Sequence, residues 1–286
     1  MIMKIVIALV GALTAHADSQ PHTTGFVQSE AGLAFERSAP RESFSGERTA
    51  VPSSYSIRGH AGPVEDQGQC GSCWDFALTS ALRGTLKMKG ADPGRLSFNY
   101  LLNCAANADG CNGGDFSAAD YLKDPRGAPR SGADGSYTAK SGRCETKPIL
   151  ARAKSYHMLG DSRGGPASFQ DIAHVISVLR RPVATSVYAS SAWNSYKGGT
   201  VTSCSTHQVD HMVVIEGYDC ETAVDSNGHC VFDGNGNLPG GVGKWIVRNS
   251  WGSSWGDHGY ITQKASKSNG KACNGLGAIA LYFDVD

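Results

Sequence analysis

The sequence predicts an α+β protein, on three observations. A helix signature opens at Ser72 and runs to Gly90. Apolar, β-branched runs, "ATSVYA" at 184–189, "HMVVIEGY" at 211–218 and "KWIVRN" at 244–249, gather in the second half and read as strands. The chain of 286 residues, 40% of them apolar, is long enough to bury a substantial core as one large or two small domains.

Each element has its own warrant. Ser72 stands where an N-cap belongs and Asp75 comes three residues later, completing an S-x-x-D box. Phe76, Leu78, Ala81, Leu82 and Leu86 then supply an apolar stripe, and Gly90 ends it. The segment 221–243 carries "DSNGHC" and "DGNGNLPGG", the chemistry of hairpin turns. Asp233, Asn235 and Asn237 alternate there like a calcium loop, but Leu238 and Lys244 stand where such a loop needs Gly and Glu.

The N-terminus reads as an export address. A charged start at Met1–Lys4, an apolar run at Ile5–Thr14 and "AHA" at 15–17 keep the order of a signal peptide, which gives residues 1–17 that role. The run is too short to span a bilayer. Residues 18–50 are polar and without sustained periodicity, and are read as a short pro-segment or leader before a domain at 51–286. With 26 basic and 26 acidic residues the chain shows no electrostatic footprint for nucleic acid or an anionic membrane, so neither is expected as a partner.

Export makes the nine cysteines informative, because in an oxidising compartment an odd count leaves one thiol over. The pair in "CGSC" has the spacing of a redox dithiol, half a zinc site, or a nucleophile beside a structural thiol. A zinc site wants a second pair at similar spacing, and no other C-x-x-C is present. A thioredoxin-like site belongs to a reducing setting and needs no partner far along the chain. Cys73 falls in the first turn of the predicted helix, where backbone N–H groups and the helix dipole favour a thiolate. His207 lies four residues before His211, but the strand pattern after it argues against a helical metal pair. No metal or other cofactor is expected.

"QGQCGSCW" at 67–74, "GCNGG" at 110–114, "VDHMVVIEGYD" at 209–219 and "WIVRNSWGSSWGDHGY" at 245–260 occur in that order. In these motifs the chain resembles the papain-like cysteine peptidases of the cathepsin-like type, from about Val51 to its C-terminus. The first motif also fits a general signature in which C-G-[SA]-C-[WY] precedes a distant His and Asn.

The resemblance implies a papain-like two-lobe fold with the cleft between a helical lobe at about 60–159 and a β-rich lobe at about 160–286. It places the nucleophile on Cys73, its imidazole partner on His211, the orienting amide on Asn249 under Trp251, and the oxyanion-hole side chain on Gln67. Next to an imidazolium and a helix N-terminus a thiol falls from ~8.5 to roughly 3 to 4. Gly113, Gly114 and Asp210 would hold the substrate, and Phe116, Ser186, Met212 and Ile279 would wall an apolar pocket for the second residue before the cut. Disulfides are implied for Cys70–Cys111, Cys104–Cys144 and Cys204–Cys273, which leaves Cys220 and Cys230 as a local pair and Cys73 free.

The activity so implied is that of a secreted, monomeric cysteine endopeptidase, made as a zymogen, with protein or peptide substrates and proteinaceous cysteine-protease inhibitors as partners. Its place would be extracellular, periplasmic or lysosome-like. A peptide ligase or transpeptidase would use the same thiol, and an inactive binding protein the same fold. Asp75 departs from the family's usual small residue and would oppose a thiolate nearby. The leader is shorter than the family's inhibitory propeptides, and the expectation is that it lies across the cleft and is trimmed near Thr49–Val51.

Overall fold

Side chains of a strand alternate between its two faces, and in this protein the alternation divides the interior into two cores. Along the longest strand Val213 and Ile215 face one core, while Met212 and Val214 face the other. The computed structural model describes residues 22–47, 49–133, 135–205, 207–267 and 271–286. The signal peptide read at 1–17 lies outside the described residues.

In chain order the strands and the longer helices are α1 Glu30–Ser38, β1 Arg41–Glu42, β2 Ser54–Ser56, α2 Cys73–Met88, α3 Phe98–Cys104, β3 Ser155–Leu159, α4 Phe169–Ser177, β4 Val183–Val187, β5 Thr200–Val201, β6 His211–Asp219, β7 Lys244–Arg248, β8 Tyr260–Lys264 and β9 Ala280–Asp284. The strands form one sheet in the order β1-β3-β9-β4-β6-β7-β8-β5, with β2 paired to β6. One face packs on α2 through Ala184, Met212, Val214, Leu281 and Phe283. The other closes over α4 through Val183, Val187, Val213, Ile215 and Val247. Strands buried on both faces explain why "HMVVIEGY" is a nearly continuous apolar run.

Helix α2 is the axis of the helical lobe, buried on every side from Cys73 to Thr85. It is therefore less amphipathic than the predicted stripe suggests. Its start also differs from the predicted cap. The Ser72 hydroxyl makes no capping bond; it pairs instead with the Tyr137 hydroxyl at 2.7 Å, and Asp75 Oδ1 accepts from Thr79 Oγ1 at 2.9 Å. A stronger tertiary partner has taken the cap residue.

The segment 221–243 turns on two carboxylates. Asp225 Oδ1 accepts from the backbone N–H of Asn227 and His229, and Asp233 Oδ1 from those of Asn235 and Asn237. These are side-chain-stabilised turns of the kind the composition predicts.

Residues 22–47 hold more structure than their polarity suggests. Ser29 caps α1 by accepting from Gly32 N at 2.9 Å, and its own N–H and hydroxyl donate to Asp115 Oδ2 at 3.0 and 2.6 Å. Phe35 is the buried anchor of α1, its ring 5.0 Å from that of Tyr156. A nine-residue helix is marginal alone, so this one exists by virtue of the lobe beneath it, a tertiary effect that local periodicity does not carry.

Candidate active site

Cys73 opens α2 from the helical lobe, and His211 opens β6 from the sheet. The two are fully buried. The backbone N–H of Met212 donates to Cys73 Sγ at 3.4 Å. His211 Nε2 and Asn249 Oδ1 are 2.8 Å apart, and Asn249 Oδ1 also accepts from Ser250 N at 2.8 Å, which holds the amide with its oxygen toward the ring. Trp251 covers the imidazole at a ring separation of 5.0 Å. Asn249 and Trp251 reach this point because β7 pairs with β6 and ends at Arg248, level with Val214.

Gln67 completes the group. Its Nε2 donates to Cys70 O at 2.9 Å and to Thr23 O at 3.1 Å, while its Oε1 accepts from Ser250 Oγ at 2.6 Å. Ser250 thereby fixes which end of the Gln67 amide faces the cleft. Tyr137 donates to Gln67 O at 3.0 Å and steadies the backbone beside it. Neither Ser250 nor Tyr137 was among the residues predicted from sequence. Ser250 had a legible signal, a hydroxyl directly after Asn249 in "NSWG"; Tyr137 had none, being 70 residues from its partner.

The structure also brings together the residues assigned to substrate. Ser186 and Met212 face each other across the β4–β6 pairing, and Ser186 N donates to Ile279 O at 3.1 Å. Phe116 and Met212 are buried in one cluster, with Ile279 partly buried against it. Gly114 lies flat on Trp74, where a Cβ would come within 2.7 Å of the indole. Asp210 offers its carbonyl to the cleft and keeps its carboxylate on Ala189 N at 2.9 Å.

This cleft is occupied by residues 22–27, the start of the described part of the segment read from sequence as a leader. Gly25 N and Phe26 N donate to Asp210 O at 3.2 and 3.0 Å, Val27 N donates to Gly114 O at 3.1 Å, and Gly114 N donates to Gly25 O at 3.0 Å. Phe26 is buried in the cluster of Phe116, the two rings edge to face at 6.0 Å. Gly25 passes so close to Gly71 that a Cβ would lie 2.1 Å from its carbonyl oxygen. His22 stacks on Trp251 at 4.5 Å, and Thr23 O accepts from Trp251 Nε1 at 3.2 Å.

Covering the site sets its electrostatics. Burial pushes the Cys73 thiol up to about 12, against the opposing pull of N–H groups from Met212, Gly25 and Trp74. Burial likewise holds the His211 imidazole down to about 4, although the bond to Asn249 favours its protonation. His211 Nδ1 makes no hydrogen bond. Under the leader both groups are neutral, whereas the sequence predicts an ion pair. The physical difference is desolvation, which disfavours both charged forms.

Cys70 is bonded to Cys111, Cys104 to Cys144, Cys204 to Cys273 and Cys220 to Cys230, and Cys73 is the free thiol. Among the described residues no cluster of three His, Cys, Asp or Glu side chains is arranged for a metal, and no helix is long and apolar enough to cross a membrane.

The chain is similar to known proteins in both sequence and fold. A family model described as papain family cysteine protease matches residues 51–279. Digestive cysteine proteinase 2 of Homarus americanus is 31% identical over 260 residues, 86% of this chain and 71% of its own. A recombinant stem bromelain precursor superposes with a TM-score of 0.73 at 28% identity, covering 93% of this chain and 78% of its own. Bromelain from Ananas comosus in complex with the E64 inhibitor superposes at 0.64 with 30% identity, covering 82% of this chain and all of its own. Fold and site together define a cysteine peptidase with an α+β two-lobe architecture. The chain belongs to the papain family of cysteine proteases.

Proposed function

We propose that the protein is an exported cysteine endopeptidase held silent by residues 22–38 until they are removed. The observation that carries this reading is the direction of the leader. Substrate residues before the cut would lie at Gly113–Gly114, and those after it toward Trp251. The leader runs the opposite way, from His22 on Trp251 to Phe26 beside Gly114, and its bridge to Gly114 is parallel. It uses the substrate's contacts while presenting its peptide bonds in reverse. The wider coverage of the bromelain precursor than of bromelain itself supports reading this segment as a propeptide.

Once the leader leaves, water and substrate reach the pair, and the proton on Cys73 passes to His211 to give thiolate and imidazolium. The thiolate attacks the carbonyl carbon, and the developing oxyanion takes hydrogen bonds from Gln67 Nε2 and Cys73 N. His211 protonates the leaving amine as the C–N bond breaks, which leaves a thioester. A water then loses a proton to His211, adds to the thioester and expels the sulfur. Asn249 keeps the ring facing Cys73 throughout. The pocket of Phe116, Met212 and Ile279, filled here by Phe26, would select apolar residues at the second position before the cut.

The test is hydrolysis of an unfolded protein by leader-free enzyme under mild reductant, with Cys73→Ala in parallel. Fragments made by the wild type and absent from C73A are expected, with a bulky apolar residue second from each new C-terminus. Equal cleavage by both would overturn the assignment of Cys73.

A further inference from the structure

We infer that maturation cuts this chain at the end of α1 and its link to β1, residues 37–40, and that Arg41–Glu47 stays behind as a permanent strand and anchor of the mature enzyme. The inference rests on residues 22–38 being the inhibitory part. The expectation from the sequence puts the cut near Thr49–Val51, and the matched family region begins at residue 51. The chemistry on either side of Pro40 argues otherwise.

Before Pro40 the leader touches the helical lobe and the cleft. After it, the chain becomes part of the sheet. Arg41 and Glu42 pair in parallel with Met158 and Leu159, so β1 caps the edge of β3. Met158 N donates to Pro40 O at 2.8 Å and Gly160 N to Glu42 O at 3.0 Å, and Tyr282 donates its hydroxyl to the Glu42 carboxylate. Stripped of β1, the β3 edge would present these donors unpaired, a liability that folds avoid.

Residues 43–47 are held by the start of α4. Asp171 is 1% exposed; its Oδ2 accepts from Ser168 N at 2.8 Å in the capping box, and its Oδ1 accepts from Phe44 N at 2.6 Å, Ser45 N at 3.1 Å and Ser43 Oγ at 3.0 Å. Phe44 stacks on His174 at 4.0 Å with the rings 6° from parallel. Gln170 clamps the end of the segment, accepting from Gly46 N at 3.1 Å and donating to Glu47 O at 3.0 Å. One buried carboxylate thus serves both its own helix and this segment. By contrast Arg37, Ser38 and Pro40 are exposed on either side of the buried Ala39 at the end of a helix, where local opening costs least. Hydrolysis there exchanges one peptide C–N bond for a carboxylate on the leader and an amine on the enzyme, water supplying the hydroxyl and the proton. The inhibitory part is then free to leave without disturbing the sheet.

Two variants of the full chain decide the matter, each with the recognition sequence of a sequence-specific protease inserted, one between residues 37 and 40 and the other between 47 and 51. Each is cut, passed through size exclusion, and assayed for intact mass, melting temperature and hydrolysis of a fluorogenic peptide amide. The first cut should raise activity at least tenfold over the uncut chain and leave 41–286 as one piece. The second should leave the fragment ending at Glu47 bound and activity low, and stripping that fragment in dilute denaturant should lower the melting temperature by about 5 °C or more. The inference is overturned if the second cut releases the fragment spontaneously and yields the same activity and melting temperature as the first. If neither cut raises activity, the inhibitory reading of 22–38 fails, while the melting temperatures still decide whether 41–47 is an anchor.

Discussion

The carbonyl oxygen of Thr23 accepts the Nε2 hydrogen of Gln67 at 3.1 Å, and the leader thereby sits on the donor that would stabilise a substrate oxyanion. The leader can come this close because Gly25, two residues on, has no side chain: a Cβ there would meet Gly71 O at 2.1 Å. Backbone on both sides leaves little room to yield. Gly25→Ala should weaken the leader's hold by about 1–3 kcal/mol, the usual cost of overpacking. Basal peptidase activity of the uncut precursor is expected to rise about fivefold to a hundredfold, and a rate equal to wild type would refute the steric account of Gly25.

The neutral pair under the leader makes a prediction about thiol reactivity. With the Cys73 thiol pushed up to about 12, iodoacetamide should alkylate the precursor slowly through neutral pH. With the leader gone, the thiolate should persist down to roughly pH 4 and alkylation should be fast from there upward. The sign for leader binding comes from proton counting. Thiol plus imidazole and thiolate plus imidazolium each hold a single proton, so covering the site relocates that proton without releasing it. Between roughly pH 5 and neutrality, inside the window these pKa values bound, this pair should add no pH dependence to leader affinity. Titration calorimetry of a 22–38 peptide carrying His22→Gln on the leader-free wild type, in buffers of different ionisation enthalpy, checks it: net proton uptake or release in this window would contradict it.

The bond from His211 to Asn249 at 2.8 Å orients the ring and should matter most when the imidazole is charged. Hydrogen bonds to charged groups contribute about 1.5–3 kcal/mol. Asn249→Ala should therefore lower kcat about tenfold to a hundredfold with KM little changed, read from steady-state kinetics of the leader-free enzyme. A change confined to KM would place Asn249 in substrate binding instead.

How much of this was legible in the sequence depended on what each residue needed. Cys73, His211, Asn249 and Gln67 lie in contiguous motifs, and the apolar run "HMVVIEGY" was sufficient to read β6. Residues whose meaning comes from a distant partner were not legible. Glu216 and Arg248 sit inside apolar strands at 0% and 2% exposure, and only the fold shows that Glu216 accepts from the Tyr260 hydroxyl at 2.7 Å with Arg248 at 4.0 Å. Arg248 is held further by Gly62 O at 2.9 Å and by Pro63 O. The same holds for α1, whose helix is induced by Asp115 and Tyr156, and for Ser72, whose hydroxyl went to Tyr137.

That buried cluster carries a stability prediction. Removing one partner of a buried ion pair leaves the other uncompensated, at a cost of about 3–5 kcal/mol. Glu216→Ala strands Arg248 between β6 and β7 and should lower the melting temperature by about 6 °C or more, since 1 kcal/mol shifts a domain of this size by about 2–4 °C. Calorimetry of the precursor reads it directly. A shift under about 2 °C would mean that the carbonyls of Gly62 and Pro63 satisfy Arg248 alone.

Phe26 gives the specificity prediction its sharpest form, because the leader reports what the pocket accepts. Its ring is buried against Phe116, and burying a Phe side chain is worth about 1.5–3 kcal/mol. A synthetic 22–38 peptide should inhibit the leader-free enzyme competitively, and Phe26→Ala in that peptide should weaken inhibition about tenfold to a hundredfold. Under the proposed function the same pocket would take substrates, so a library varied at the second position before the cut should be led by Phe, Leu or another bulky apolar residue. Neither Ser186, half of a β4–β6 pair with Met212, nor any other wall residue named for this pocket carries a charge that would select Arg or Glu. The two measurements test one surface from opposite chain directions. Inhibition that is indifferent to Phe26 alongside an apolar substrate preference would show that the leader binds through its backbone and α1, whereas a library led by Arg or Glu would overturn the pocket assignment itself.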